Sequence, residues 1–390
     1  MVWNGAWTLE ADMAVRTTHN GPAQIAFETF GSADGIPLLL VMGLDSPMQW
    51  WPDGFCGELV ARGFHVARFD GRDCGGSTRY GHRPRPQPEN QLEPQPQPQT
   101  QPQTRLQSRQ RVARVRARIL DSALSARRAP EYTATDMIDD AIAVMNALGW
   151  NDAHIVGASL GAGIALGTAI RHPARVRTVV SMMGLPAGFH PSAAAKYVAV
   201  PGLLRMAWLG SREPATARAD LRAQVETARM LASPRHRFDE QWAYATATAC
   251  RAQSPGDPGT ARRQLAAMRA DGGLLRRARD ILAPLLILHG ADDPLIKPAA
   301  AAALARQVPG SRCVIYADMG HEVPSHLWTE IADDIARHAD LVQPLPEPKP
   351  ARARLRSVQQ SPVQQSPVQL GGARVKAGRR ASATTAQSSA

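Results

Sequence analysis

Ser159 lies in the segment Gly157-Ala-Ser-Leu-Gly161, which follows a short apolar run and precedes a helical pattern. Gly-x-Ser-x-Gly between a strand and a helix is typical of a nucleophile elbow, a strained turn that presents a serine hydroxyl for attack. Glycine is needed two residues on either side because so tight a turn leaves no room for side chains. The pattern therefore predicts Ser159 as a nucleophile, with an incidental glycine-rich helix start as the alternative.

Two loops later in the chain offer a base and an acid. A serine nucleophile needs a histidine to take its proton and a carboxylate to orient that histidine, and in elbow proteins the chain order is serine, acid, histidine. The segments His289-Gly-Ala-Asp-Asp-Pro294 and Asp318-Met-Gly-His-Glu322 each follow an apolar run. We predict Asp293 as the acid and His321 as the base.

The choice of Asp293 depends on its neighbour, because Pro294 is expected to begin a helix and to leave Asp293 at a loop tip that points inward. Asp292 is the second candidate for the acid, and His326 is the second candidate for the base. The alternatives are that Asp293 only caps a helix and that His321 is an ordinary surface-loop histidine.

Two backbone amides are predicted to stabilise the oxyanion that forms when a serine attacks a carbonyl group. The Leu160 N–H lies at the start of the helix after Ser159, where amides are free and the helix dipole is positive. The Leu44 N–H lies in the loop after the third apolar run, where Gly43 leaves the backbone unobstructed. Leu44 and Leu160 are therefore the predicted oxyanion hole.

Eight short β-type runs, of which the third and the fifth to eighth are nearly continuous in apolar residues, are predicted to form the strands that position these residues. From the third run onward, helical patterns separate the runs, which predicts a mostly parallel sheet with helices on both faces. The first two runs are joined by His19-Asn-Gly-Pro22 and predict an antiparallel hairpin at the edge. The predicted strands span residues 13–18, 24–29, 37–42, 65–70, 154–158, 176–182, 284–289 and 312–316.

Composition divides the chain into one folded core with three additions. The core is predicted to comprise residues 1–80, 131–183 and 279–344. Residues 184–278 are helical in composition and follow the sixth strand, where a helical lid would lie over the carboxyl ends of the sheet. Residues 81–130 are rich in Gln, Pro and Arg, and residues 345–390 are rich in Pro, Arg, Ser and Ala, so both are predicted to be disordered.

The net charge of +11 belongs to the two predicted disordered segments. Residues 81–131 carry +6 and residues 345–390 carry +7, which leaves the rest of the chain slightly acidic. We therefore expect no specific nucleic-acid partner and at most weak contact of the basic tail with anionic surfaces.

The remaining composition carries no sign of a cofactor or a membrane anchor. Four dispersed cysteines show no metal-ligand spacing, and no metal or organic cofactor is expected. No run approaches a membrane-spanning length, and the first residues do not resemble a signal peptide. A soluble, cytoplasmic protein acting on a small molecule is the expectation, and the sequence leaves its oligomeric state open.

Taken together, these motifs resemble the α/β-hydrolase fold and, more narrowly, the aclacinomycin methylesterase-like group of small esterases. The resemblance implies a serine hydrolase that cleaves a carboxylic ester, such as the methyl ester of a bulky hydrophobic compound. A C–C bond hydrolase, a cofactor-free perhydrolase and a non-catalytic ligand receptor are the alternatives. The matching segments, besides the elbow, are residues 40–44, 50–56, 68–78, 263–268, 289–294 and 319–324.

Two departures from that group stand out. Ala162 occupies a position after the elbow that the group usually fills with glycine, and we expect it to narrow the turn without abolishing it. Residues 81–130 replace what is usually a short loop, and they either hang outward or lie across the mouth of the pocket.

Overall fold

A computed structural model describes residues 14–80, 130–188, 194–210, 216–254, 256–257, 259–271 and 273–342. Within these residues all eight predicted strands are present, and their ends differ from the prediction by a few residues at most. The strands are β1 Arg16–Asn20, β2 Ala23–Phe30, β3 Ile36–Val41, β4 Phe64–Phe69, β5 Ala153–Ala158, β6 Val176–Met182, β7 Leu285–Gly290 and β8 Arg312–Tyr316.

The strands form one sheet in the order β1-β2-β4-β3-β5-β6-β7-β8. Strands β1 and β2 form the predicted antiparallel hairpin, and β2 also pairs antiparallel with β4. Every pairing from β4 to β8 is parallel. The carboxyl ends of β3, β5, β7 and β8 therefore lie along one edge of the sheet, which is where the loops that carry the predicted site residues emerge.

Helices cover both faces of this sheet, as its continuous apolar strands require. On one face, helices α2 and α3 pack with β3 and β5 in the larger apolar cluster. On the other face, helices α1 and α10 pack against β3, β4 and β6. The helices flanking the sheet are α1 Asp53–Val60, α2 Ala134–Ala147, α3 Leu160–Arg171, α9 Ala299–Gln307 and α10 Trp328–Ala339.

Helix α2 begins with a capping box, in which the Thr133 hydroxyl accepts the Asp136 N–H and the Asp136 carboxylate accepts the Thr133 N–H. Thr133 is thus the N-cap of this helix. After the helix, Gly149 adopts a φ of 71°, a left-handed conformation that glycine tolerates best. Local sequence signals therefore set both ends of this helix.

Among the described residues, five α-helices lie between β6 and β7, and we refer to residues 194–271 as the helical segment. The helices are α4 Ala194–Tyr197, α5 Val200–Gly210, α6 Ala217–Leu231, α7 Glu240–Gln253 and α8 Thr260–Ala270.

The described chain stops at Tyr80, before the Gln/Pro-rich residues, and resumes at Pro130, just before Tyr132. The two tyrosine rings lie 5.1 Å apart between centroids, and the Tyr80 hydroxyl accepts a hydrogen bond from Arg72 at 3.0 Å. Arg72 in turn forms a buried ion pair with Asp140 of α2. The two ends of the insertion are therefore held together by the folded core.

Two predictions fall outside the described residues, namely the disorder of residues 81–130, apart from Pro130 itself, and the disorder of the basic tail 345–390. Among the helices that the structure describes, none combines the length and the apolar character needed to cross a bilayer.

Candidate active site

Ser159 occupies the turn between β5 and α3 in a strained backbone conformation. Its φ of 55° and ψ of −116° lie in a region that non-glycine residues rarely adopt. The Ser159 N–H donates to the Met182 carbonyl at 2.8 Å, which fixes the turn against β6. The surrounding fold thus holds the serine in a conformation that the chain alone would avoid.

The two glycines of the motif are required by close backbone approaches. A Cβ atom on Gly157 would overlap the carbonyl oxygen of Gly161, and a Cβ atom on Gly161 would overlap the carbonyl oxygen of Val41. Ala162 fits because residue 184 is a glycine, where an added Cβ would lie 2.8 Å from the Ala162 Cβ.

Asp293 and His321 are joined by a hydrogen bond of 2.7 Å from Nδ1 of the histidine to Oδ2 of the aspartate. The Asp293 side chain is fully buried and that of His321 is 7% exposed. The other Asp293 oxygen, Oδ1, accepts the N–H groups of Leu295 and Ile296, each at 2.8 Å. A carboxylate held by two backbone donors is fixed in orientation, and it leaves Nε2 of His321 free to act as an acceptor.

The expectation that Pro294 begins a helix is wrong. Helix α9 begins five residues later, at Ala299, with Pro298 as its N-cap. The intervening residues form a turn because the Asp293 carboxylate binds two of their amides and Ile296 pairs with Val198 in an isolated bridge. This turn, and not the start of a helix, directs the Asp293 side chain toward His321.

The two second candidates lie elsewhere. Asp292 accepts a hydrogen bond from the Ser233 hydroxyl at 2.6 Å and pairs with Arg235 at 3.0 Å. The His326 ring lies 4.6 Å from the ring of His236. Neither residue is brought to Ser159 or His321 by a described contact.

The helical segment holds the loop that carries His321. The His321 N–H donates to the Leu231 carbonyl at the end of α6, at 2.7 Å. Next to it, Glu322 accepts the Ser233 N–H at 2.8 Å and pairs with His236 at 2.7 Å. Sequence reasoning missed these contacts, because they join residues about 90 positions apart and no local pattern marks them.

His289, at the end of β7, supports the same turn. Its side chain is fully buried, with Nε2 2.8 Å from the Ile296 carbonyl and 3.4 Å from Oδ2 of Asp293. Burial lowers the pKa of His289, so the ring is neutral near pH 7. The Asp293 carboxylate therefore has one histidine as a close hydrogen-bond partner, which is His321.

The loop after β3 passes directly beside Ser159. A Cβ atom on Gly43 would lie 3.2 Å from the Ser159 Cβ. Among the backbone hydrogen bonds of the described residues, neither the Leu44 N–H nor the Leu160 N–H donates one. Neither amide is therefore occupied by a backbone acceptor.

The Ser159 hydroxyl forms no hydrogen bond with any residue that the structure describes. The structure thus joins Asp293 to His321 but not His321 to Ser159. Hydrogen bonds of this kind are often long in unliganded hydrolases and shorten when substrate is present.

A small cavity opens beside the elbow. It is bordered by Gly43 and Leu160 and is mostly apolar, with Gln264 of α8 as a polar side chain in its wall. In the part of the chain that the structure describes, no cluster of His, Cys, Asp and Glu side chains is arranged to hold a metal ion.

The strand order agrees with the comparisons with known proteins. The sequence matches the alpha/beta hydrolase fold family over residues 36–324. The chain belongs to the α/β-hydrolase family. The expected resemblance to methylesterases within this family is confirmed as well, because two curated relatives are rhodomycin D methylesterases.

One of these relatives is rhodomycin D methylesterase DauP of Streptomyces sp. (strain C5). It is 26% identical over 327 residues, which cover 80% of this chain and 93% of DauP. A 2-hydroxymuconate semialdehyde hydrolase of Pseudomonas putida is 30% identical over 215 residues, which cover 55% of this chain and 69% of that protein.

Among solved structures, the esterase RhEst1 of Rhodococcus sp. ECU1013 superimposes with a TM-score of 0.55 at 19% identity, over 83% of this chain and 99% of RhEst1. That likeness concerns the fold. The family and its methylesterase relatives together support a hydrolase.

Proposed function

We propose that this protein is a serine hydrolase that cleaves a carboxylic ester through Ser159, His321 and Asp293. The observation that carries the proposal is the 2.7 Å hydrogen bond between the buried Asp293 carboxylate and His321, on the same sheet edge as a serine in a strained turn. Such an arrangement is the recurring basis of acyl transfer by serine enzymes.

In the proposed reaction, His321 Nε2 takes the hydroxyl proton as Ser159 Oγ attacks the ester carbonyl. Asp293 keeps the proton on Nδ1 and stabilises the imidazolium that forms. The Leu44 and Leu160 N–H groups stabilise the oxyanion. His321 then protonates the departing alcohol, and a water activated by the same ring hydrolyses the acyl-enzyme.

The methyl ester of a bulky hydrophobic compound is the substrate class that we propose. The DauP relative is a methylesterase, and this chain covers nearly its whole length. We further propose that the helical segment is the lid of this site, since it contacts the loops after β3 and β8.

A fluorophosphonate, which reacts with activated serines, provides the test. Mass spectrometry of the intact protein and of its peptides should show one adduct, on Ser159, and none in Ser159→Ala or His321→Ala. The Ser159→Ala variant should also lose on the order of 10⁴- to 10⁶-fold in the hydrolysis rate of a small ester. An unchanged rate in that variant would refute the proposal, and a folded wild-type protein without adduct would favour a non-catalytic receptor.

A C–C bond hydrolase is the second candidate, because the Pseudomonas putida relative hydrolyses a 2-hydroxymuconate semialdehyde and is 30% identical to this chain. The same three residues would serve that reaction, so variants of them cannot separate the two activities. Comparing kcat/KM for methyl esters with kcat/KM for a semialdehyde of that type separates them directly.

A further inference from the structure

Gln264 is a buried polar residue of the helical segment that the proposed reaction leaves without a role. It lies on α8 and is 2% exposed. Its side-chain oxygen Oε1 accepts the backbone N–H of Asp45 at 2.8 Å. Its nitrogen Nε2 donates to the Arg72 carbonyl at 2.9 Å and lies 3.4 Å from Sγ of Cys74.

These contacts join three separate parts of the chain at one amide group. Asp45 belongs to the loop after β3, Arg72 and Cys74 belong to the loop after β4, and Gln264 comes from a helix 219 positions beyond Asp45 in sequence. Both ends of the side-chain amide are used, so its orientation is defined. A buried side-chain amide with this many partners can satisfy all its hydrogen bonds in only one arrangement of the two loops.

The Asp45 N–H belongs to the peptide group that joins Asp45 to Leu44, the predicted oxyanion donor. On the other side of that peptide, the Leu44 carbonyl accepts a hydrogen bond from the Ser46 hydroxyl at 3.0 Å. The peptide between Leu44 and Asp45 is therefore held at both its C=O and its N–H. Asp45 has a φ of 53°, a conformation that needs such support in a residue with a side chain.

We infer that Gln264 is a positioning residue, which fixes the loop after β3 so that the Leu44 N–H faces the oxyanion. This inference rests on the proposed function. It also makes the helical segment a part of the catalytic arrangement and not only a cover, since one of its side chains sets the geometry of the loop beside Ser159. Stabilisation of an oxyanion depends on donors that are oriented before the charge develops.

Gln264→Met tests the inference, because methionine has nearly the same shape and forms neither hydrogen bond. Loss of a whole oxyanion donor costs about 10²- to 10³-fold in kcat, and a misoriented donor should cost about 10- to 100-fold. We expect that fall in kcat for a small ester, with a smaller change in KM, because the lost hydrogen bonds act on a donor that is used mainly in the transition state. The inhibition constant of an alkylboronic acid, which forms a tetrahedral adduct with serine, should rise by a similar factor.

Thr260→Val is the matched control. Thr260 lies on the same helix, is 1% exposed and donates from its hydroxyl to the Asp73 carbonyl at 3.4 Å, so its side-chain hydrogen bond goes to the loop after β4 and not to the loop after β3. Its kcat should stay within about twofold of wild type, and the pH dependence of kcat should be the same in both variants, since His321 and Asp293 are unchanged.

Three results would overturn the inference: an unchanged kcat in Gln264→Met, a loss expressed in KM alone, or an equal loss in Thr260→Val. Failure of the proposed function is a separate result, because it would be seen as a wild-type protein without esterase activity or as an active Ser159→Ala. All variants should be compared at a temperature where circular dichroism shows each to be folded.

Discussion

At the scale of single residues, the site depends on which of two adjacent aspartates faces the histidine. Asp293 is fully buried and binds two amides as well as His321, whereas Asp292 binds Ser233 and Arg235. The two side chains point to different parts of the molecule although they are neighbours in sequence. The distinction between them is therefore an effect of the turn that follows β7.

Exchange of Asp293 for asparagine should lower kcat by on the order of 10⁴-fold. The asparagine oxygen can still accept the Leu295 and Ile296 amides, but its NH₂ group would then face Nδ1 of His321 and favour the wrong tautomer. The kcat for a small ester measures this effect. Asp292→Asn is the matched control and should lose far less, and an equal loss in the two variants would contradict the assignment of Asp293.

At the scale of elements, the His321 loop and the end of α6 are packed backbone to backbone. A Cβ atom on Gly320 would overlap the Leu231 carbonyl oxygen and lie 2.6 Å from the Ser233 nitrogen. Backbone atoms cannot move aside as the end of a flexible side chain can. The glycine is thus needed for the approach of the helical segment to His321.

The Gly320→Ala variant should force these two elements apart. We expect a loss of about 1–3 kcal/mol in the free energy of unfolding, typical of overpacking at a tight site, together with a fall in kcat as His321 is displaced. Urea unfolding and ester hydrolysis measure the two effects. Gly57→Ala is the control, because its added Cβ meets nothing within 4 Å on α1, and the helix should become more stable by up to about 1 kcal/mol. Wild-type stability and activity in Gly320→Ala would show that the contact is not tight.

The strands could be predicted because their causes are local. Strand β5 is entirely buried and, apart from His154, consists of apolar and small residues, and the start of α2 likewise has a local cause in its capping box. The turn after Asp293 was not predictable, because it depends on pairing of Ile296 with Val198 from the helical segment. The Gln264–Asp45 contact was not predictable for the same reason, since only the packed fold brings such distant residues together.

At the scale of the whole molecule, buried neutral histidines link stability to pH. His154 lies in β5, is 2% exposed and is hydrogen-bonded to Thr178 at 2.8 Å. Burial, followed by the nearby charges of Arg177 and His338, lowers the pKa of His154 from 6.5 to about 3. Between these two pH values the unfolded chain binds a proton that the folded protein does not, so stability falls as the pH falls.

Replacement of His154 should therefore make the free energy of unfolding depend less steeply on pH below pH 6.5. His154 accounts for up to about 1.4 kcal/mol per pH unit below pH 6.5, so the stability difference between wild type and His154→Asn should narrow as the pH falls from 7 to 4.5. Urea denaturation at each pH provides the measurement. His19→Asn, on the exposed face of β1, should keep the wild-type dependence. Parallel curves for wild type and His154→Asn would rule out this linkage.

The contact between Tyr80 and Tyr132 affects which insertions and deletions the fold can tolerate during evolution. Tyr80 and Tyr132 lie side by side, and Arg72 joins Tyr80 to Asp140 of α2. These contacts hold the two ends of the insertion in place and involve no residue of the insertion itself. Each doubling of the length of a flexible connection costs only about 0.6 kcal/mol in loop-closure entropy. Changes in the length of the chain between Tyr80 and Tyr132 should therefore cost the fold little, and this is a suitable position at which to insert a second domain.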